Sequence, residues 1–348
     1  MEGKRLVWLD FLKGFLILLV ILGHAIQYCM KEDSFETNYW WNLIYSFHMP
    51  VFMAASGFIS FKPSTSACRG GVTTFKRRTY QLLVPFFSWS VIKWLTSANL
   101  TLNSLIHLTF SSGGFFWFLW VLWCIVLLCM VSSYISWRFN IKKELIIAIA
   151  SSLLIATMLS LNSKFMGIHY IAYYFIFYNV GYFANKYRNA ICDNKYVIIL
   201  CGFLWFILAS YWKMHQIPTI LSSIKMIPTT IILYGYRIIT ALLAIYILLI
   251  GIPYICNRQT ILINAISKYG QNSLAIYGLQ GIVVIQICEF ISITFSNLAL
   301  LGCVLISFGL TILFTILSLN LLNKQKLISM LLFGKIPHSQ YTKSVMYE

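Results

Sequence analysis

The chain has 348 residues, of which 59% are hydrophobic and only 10% are charged, and its mean hydropathy is +0.79. A soluble globular protein carries about 25% charged residues, so this chain could not cover its surface with polar groups in water. The composition excludes an ordinary soluble protein and predicts an integral membrane protein.

Apolar segments long enough to cross a bilayer recur along the whole chain. A helix needs about 20 mainly apolar residues to span the hydrocarbon core, and the sequence contains about ten such segments. They lie near residues 6–28, 41–61, 80–98, 115–135, 145–161, 167–185, 196–212, 237–255, 273–291 and 299–322. The apolar stretch 217–234 is interrupted by two prolines and a lysine, so we interpret it as interfacial or re-entrant, with an eleventh span as the alternative. The sequence therefore predicts an all-α, polytopic transmembrane helical bundle that forms a single membrane domain over residues 1–348.

The distribution of basic residues predicts the orientation of this bundle. With the N-terminus in the cytoplasm, the inner segments hold 19 of the 26 Lys and Arg residues, the outer loops hold four, and three lie within or at the edge of spans. Cytoplasmic loops are enriched in Lys and Arg, so we expect both termini, including the tail 323–348, to be cytoplasmic. The net charge of +17 is spread over these loops, which indicates the lipid bilayer rather than nucleic acid as the partner.

The first span carries an unusual set of ionisable residues: Asp10, Lys13 and His24. A charge at mid-membrane costs at least about 2.5–3.5 kcal/mol on insertion scales, so each one needs a reason. Lys13 and His24 are eleven residues apart and differ by only about 20° around the helix axis, while Asp10 and Lys13 are spaced to pair. This pattern predicts one polar stripe facing a site, and a purely structural ion pair between Asp10 and Lys13 remains the alternative.

A second histidine, His48, follows in the next span just before Pro50. From the expected outer boundaries, His24 lies about 6 Å deep and His48 about 10 Å deep. Because a short loop joins the two spans, they are expected to be antiparallel neighbours with both imidazoles at similar depth. A positioned imidazole is suited to act as a base on a hydroxyl near neutral pH.

A basic cluster of Lys76, Arg77 and Arg78 leads into the third span. Such side chains bind phosphates through charge-assisted hydrogen bonds. The alternative is that the cluster only marks the cytoplasmic end of a span.

Five elements stand out in chain order: WLDFLKGFLILLVILGH, FHMPVFMAASGF, FKRRTYQLLVPFF, FFWFLWVL and YGQNSLAIYGLQ. Together they resemble the acyltransferase-3 family of integral membrane acyltransferases, particularly its members similar to fucose 4-O-acetylases. The resemblance covers roughly residues 5–322. Two positions depart from the family pattern: Gln280 stands where many members have histidine, and Gln81 stands where many have an arginine three residues after Arg78.

The resemblance implies the substrates and the membrane. It implies an acyl-CoA donor, usually acetyl-CoA, supplied from the cytoplasm, and a carbohydrate or lipid-linked glycan acceptor of the cell envelope. The membrane would then be the inner membrane of a bacterium, and the acyl end of the donor would have to reach across much of it. No metal is expected, since no Cys-x-x-Cys pair or other metal-ligand spacing is present.

The resemblance also implies roles for the ionisable residues. His24 would be the general base, supported electrostatically by Lys13 and Asp10, and His48 would orient the acceptor or the thioester. The basic cluster Lys76, Arg77 and Arg78 would contact the CoA phosphates.

Two other functions fit a polytopic membrane protein of this kind. A transporter or flippase of a lipid-linked sugar would use the intramembrane Asp, Lys and His residues as a proton relay. Transporters commonly contain inverted repeats, and the sequence contains no such symmetry. A polysaccharide polymerase would be expected to have a large charged outer loop, whereas region 213–236 is small and only mildly basic.

Overall fold

The computed structural model describes residues 6–30, 34–61, 69–97, 100–110, 114, 116–160, 165–258, 260–295 and 298–335. Within these ranges the regular structure is helical throughout, without a strand. The α-helices are α1 (Val7–Cys29), α2 (Tyr39–Tyr45), α3 (His48–Ser60), α4 (Arg69–Leu95), α5 (Leu102–Phe110), α6 (Trp117–Phe139), α7 (Lys143–Ser160), α8 (Ile168–Lys186), α9 (Lys195–Ser210), α10 (Thr229–Cys256), α11 (Ile261–Gln271), α12 (Ser273–Thr294), α13 (Leu300–Leu322) and α14 (Lys326–Phe333). Short 3-10 turns lie at Ser34–Thr37, Phe165–Gly167, Arg188–Ala190 and Thr219–Leu221.

Six segments in the described part of the chain are long and apolar enough to cross a membrane. They are α1, Tyr39–Ser60, α6, α10, α12 and α13. The other four predicted spans coincide with helices α4, α7, α8 and α9. The predicted class, an all-α polytopic membrane protein, is confirmed, while the number of ten spans and the cytoplasmic termini stay predictions.

Contacts between residues divide the chain into two compact units. The first consists of Met1–Phe61, Phe177–Ile276 and Val283–Phe314, and the second of Lys62–Ile176, Tyr277–Ile282 and Thr315–Glu348. The predicted histidines and the Asp10–Lys13 pair belong to the first unit, and the basic cluster belongs to the second.

In the first unit, α11 packs along the N-terminal half of α1 through two glycines. A Cβ atom at Gly14 would overlap the carbonyl oxygen of Ile266, and one at Gly270 would overlap the carbonyl oxygen of Asp10. Small residues let helix backbones approach closely, which is a common way to pack helices in lipid. The start of the sequence element YGQNSLAIYGLQ, at Gly270, thus contacts the first sequence element, WLDFLKGFLILLVILGH.

The same device joins α3 to the second half of α8. A Cβ atom at Gly57 would overlap the carbonyl oxygen of Tyr178, and one at Gly181 would overlap that of Ala54. This close approach fixes α3, which carries His48 at its first position.

The second predicted span is broken into two helices. α2 ends at Tyr45 and α3 begins at His48, with a turn at Ser46 and Phe47. Pro50 lies in the first turn of α3, where its missing N–H group costs no intrahelical hydrogen bond. Irregular backbone at membrane depth is tolerated where it is buried in protein, and Ser46, Phe47 and His48 are all buried.

In the second unit, α4 packs against α5, α6 and α14. The indole of Trp89 donates a 2.9 Å hydrogen bond to the carbonyl of Leu332. α14 ends at Gly334, which adopts the left-handed conformation (φ 62°) and lies against the backbone of Gln81. The residues predicted as a cytoplasmic tail thus begin with a helix that is held against α4.

Candidate active site

Asp10 and Lys13 form an ion pair in the first two turns of α1. Lys13 Nζ lies 3.5 Å from Asp10 Oδ1, and their side chains are 19% and 7% exposed. The pair therefore faces mainly protein. The backbone carbonyl of Asp10 lies at the close contact of α1 with Gly270, so the pair begins where α11 approaches α1.

Neutralising only one member of the Asp10–Lys13 pair is expected to destabilise the protein more than neutralising both. Asp10→Asn removes the carboxylate charge that lies 3.5 Å from the largely buried Lys13 ammonium, and we expect it to cost about 2–3 kcal/mol. The double variant Asp10→Asn/Lys13→Met should recover most of this loss. Thermal unfolding of the two single variants and the double variant in detergent would measure the coupling, and additive losses would contradict a paired arrangement.

His24 lies five residues before the end of α1 and is half-buried. Its ring lies 6.0 Å from that of Tyr28, one turn further along the helix. His24 is also close enough to His48 to interact with it electrostatically. The helices that carry the two histidines, α1 and α3, pack against each other in the first unit.

The ring of His48 is held in one orientation. Its Nδ1 atom lies 2.7 Å from the carbonyl oxygen of Ile44, which can only accept a hydrogen bond, so Nδ1 carries the proton. In the neutral ring Nε2 is consequently the unprotonated nitrogen. Only 3% of His48 is exposed, and the hydrogen bond made by Nδ1 sets which ring nitrogen can accept a proton.

Tyr45 links the two helices at the histidines, and the sequence-based prediction did not include it. Its ring packs edge-on against that of His48 at 4.7 Å and stacks on Trp41 at 3.8 Å. Its hydroxyl donates a 3.3 Å hydrogen bond to Gln27 Oε1. A Cβ atom at Gly23 would lie only 2.9 Å from Cε2 of Tyr45, so Gly23 provides the space that this ring occupies.

The basic cluster lies on α4 in the second unit. Lys76 is exposed, whereas Arg77 and Arg78 are half-buried. Among the described residues, Nε of Arg77 is buried without a hydrogen-bond partner. The neighbouring turn is fixed by Trp123, whose indole donates a 3.1 Å hydrogen bond to Oγ1 of Thr79.

Gln280, the residue at the position where the resembling family often has histidine, lies on α12. It is 1% exposed, and its Nε2 atom donates a 3.3 Å hydrogen bond to the carbonyl of Tyr277, one turn earlier. Its side-chain amide thus helps to satisfy backbone within its own helix.

Metal chemistry has no obvious ligand set in the part of the chain that the structure describes. Among those residues there is no group of three or more His, Cys, Asp or Glu side chains arranged to hold a metal ion. Eight of the described cysteines are free thiols.

Comparison with known proteins identifies the family. Residues 6–322 match the family model described as "Acyltransferase domain". The chain belongs to the acyltransferase-3 family. The match covers all five elements that carried the resemblance, together with every residue predicted for the site.

Two curated relatives, both nodulation proteins of bacteria, are similar to part of this chain. The protein NolL of Mesorhizobium japonicum is 40% identical over 121 residues, which are 32% of this chain and 31% of the relative. NolL of Sinorhizobium fredii is 32% identical over 168 residues, or 45% of this chain and 43% of the relative. The chain thus aligns with less than half of the length of these relatives. No solved structure matches it.

Proposed function

We propose that the protein is a membrane O-acyltransferase that moves an acetyl-type group from acyl-CoA to a hydroxyl of a cell-envelope carbohydrate. The family match over residues 6–322 supports the class of reaction. The observation that supports the proposal is that α1, which carries His24, packs against α3, which begins at His48, with the two imidazoles within range of an electrostatic interaction. The relatives are bacterial proteins, which supports the bacterial inner membrane as its location.

The proposed reaction needs one proton acceptor. As the acceptor hydroxyl attacks the thioester carbonyl, its proton passes to the imidazole of His24, a C–O bond forms and the C–S bond breaks. The CoA thiolate leaves and takes the proton from the imidazolium. A base positioned in this way contributes about 10²- to 10⁴-fold to the rate.

His48 is proposed to orient the acceptor or the thioester. Its fixed Nε2 atom can accept a hydrogen bond from the acceptor hydroxyl, which would place the nucleophile beside His24. Tyr45 is a positioning residue in this scheme, because it contacts His48 without being assigned a contact to substrate.

The Asp10–Lys13 pair is proposed to support His24 from a distance. Eleven residues of α-helix correspond to about 16 Å of axial rise, so Lys13 does not contact His24 directly. The pair instead acts through its field in a low-dielectric environment and through the packing of α1 on α11.

The basic cluster on α4 is proposed to bind the phosphates of the CoA donor. Arg77 supports this role, since a buried guanidinium N–H group without a partner costs free energy until an acceptor is bound. Arg78 and Lys76 would add charge to the same end of α4.

Arg77→Gln is expected to raise the KM for acetyl-CoA by about 10- to 100-fold, with a smaller effect on kcat. A hydrogen bond to a charged group contributes about 1.5–3 kcal/mol, and it is made to a part of the donor that does not react. Arg138→Gln, which removes an exposed arginine at the end of α6, is the matched control. Equal KM values for the two variants would contradict phosphate binding by Arg77.

The function itself is tested by incubating the purified protein with radiolabelled acetyl-CoA and envelope glycans. We expect label in the glycan as an ester that mild base releases. The contrary outcome is an unlabelled glycan that the reconstituted protein moves across a vesicle membrane, which would favour the flippase.

A further inference from the structure

The first unit contains a group of buried polar side chains that the reaction scheme does not use. In the part of the chain that the structure describes, the indole Nε1 atoms of Trp41 and Trp212 and the Oδ1 atom of Asn42 are buried without a hydrogen-bond partner. The three residues are 2%, 2% and 5% exposed. Buried polar groups are nearly always hydrogen-bonded, so three such atoms in one region call for a partner.

Contacts within the first unit connect these residues. The Nδ2 atom of Asn42 donates a 2.6 Å hydrogen bond to the carbonyl of Glu36, whose carboxylate lies 3.6 Å from Nε2 of His215. Trp212 precedes His215 by three residues, and the guanidinium of Arg237 lies 5.5 Å from the centre of its ring. Trp41 and Met214 pack into one apolar cluster.

Trp41 connects this group to the candidate active site through Tyr45. Trp41 stacks on Tyr45, and Tyr45 contacts His48. Asn42 precedes His48 by six residues and lies at the start of the same predicted span, 41–61. A ligand held by Trp41 and Asn42 would therefore contact the same α2–α3 segment that carries His48.

The chemistry of the three atoms matches a sugar. Two indole N–H groups donate and one amide oxygen accepts, while a sugar hydroxyl can do both at once. Sites for small molecules are typically lined by aromatic side chains with a few placed polar groups, and Trp combines an apolar ring with one donor. We propose that Trp41, Asn42 and Trp212 form the subsite that binds the acceptor sugar; this rests on the proposed function.

Sugar binding without any donor tests this inference separately from catalysis. The full-length protein in lipid nanodiscs would be titrated with the methyl glycosides of glucose, fucose and glucuronic acid, with ligand-observed NMR giving each Kd. We expect at least one glycoside to bind. Trp41→Phe and Trp212→Phe, which replace the indole and its N–H group by a smaller aromatic ring, should weaken binding about three- to tenfold.

Trp40→Phe is the matched control, because Trp40 directly precedes Trp41 on α2 and is 63% exposed. It should leave Kd unchanged, and the thermal midpoint of each variant verifies its fold. The inference is overturned if wild type binds none of the glycosides, or if folded Trp41→Phe and Trp212→Phe bind as wild type does. A wild type that binds sugar but transfers no acetyl group would support the subsite and contradict the proposed function.

Discussion

His24→Ala is expected to lower the rate of acetyl transfer by about 10²- to 10⁴-fold while the protein remains folded. The variant removes the proposed base but leaves donor and acceptor binding in place, so kcat should fall far more than the KM of either substrate changes. The measurement is steady-state transfer of labelled acetyl groups by purified protein. His107→Ala, which changes an exposed histidine on α5, is the control and should retain full activity.

A variant of His48, measured in the same assay, tests which of the two histidines is the base. His48→Asn would remove the acceptor nitrogen that the ring presents and should lower kcat less than His24→Ala does, if His48 only orients the substrate. The reverse order would assign the base to His48, and full activity in His24→Ala would remove His24 from the reaction.

Gly270→Ala is expected to cause the largest loss of stability for a single added methyl group. Its Cβ atom would overlap the carbonyl oxygen of Asp10, which belongs to helix backbone and cannot rotate away. Overpacking of this kind costs about 1–3 kcal/mol, and α11 would also move away from the Asp10–Lys13 pair. The thermal midpoint of unfolding in detergent and the rate of acetyl transfer should therefore both fall.

Gly251→Ala provides the matched comparison. Gly251 lies within α10, and a Cβ atom there would have no neighbour within 4 Å in the structure. Because alanine favours helix over glycine by about 1 kcal/mol, this variant should be as stable as the parent or more stable. Equal thermal midpoints for the two alanine variants would contradict the close packing of α11 on α1.

The helical architecture could be predicted from hydropathy because lipid forces backbone groups to be satisfied within each segment. Ten apolar runs therefore predicted helices where helices lie. Pro50 indicated an irregularity in the second predicted span but could not locate the break between Tyr45 and His48. A proline can stand either in the first turn of a new helix or inside a kinked, continuous one. Helix α14 was missed because Lys326–Phe333 has only eight residues, too few for a span.

The candidate site was predictable in part because an ionisable residue inside an apolar run is conspicuous. Asp10, Lys13 and His24 could be found by periodicity, and His48 by its similar depth. Tyr45 could not, because a tyrosine near a membrane boundary is ordinary. Its importance depends on the ring contacts with Trp41 and His48, which the sequence does not encode locally. The contact of Gly270 with α1 is equally non-local, since it joins residues 260 positions apart.

The most direct measurement uses sealed vesicles with the cytoplasmic face outward, labelled acetyl-CoA outside and a membrane-impermeant glycan acceptor inside. If the basic cluster receives the donor on one side and the histidines act on a hydroxyl presented from the other, base-labile label will accumulate in the enclosed glycan. It will be absent from vesicles carrying His24→Ala. Label confined to acceptors added outside, or absent from both pools, would contradict this account.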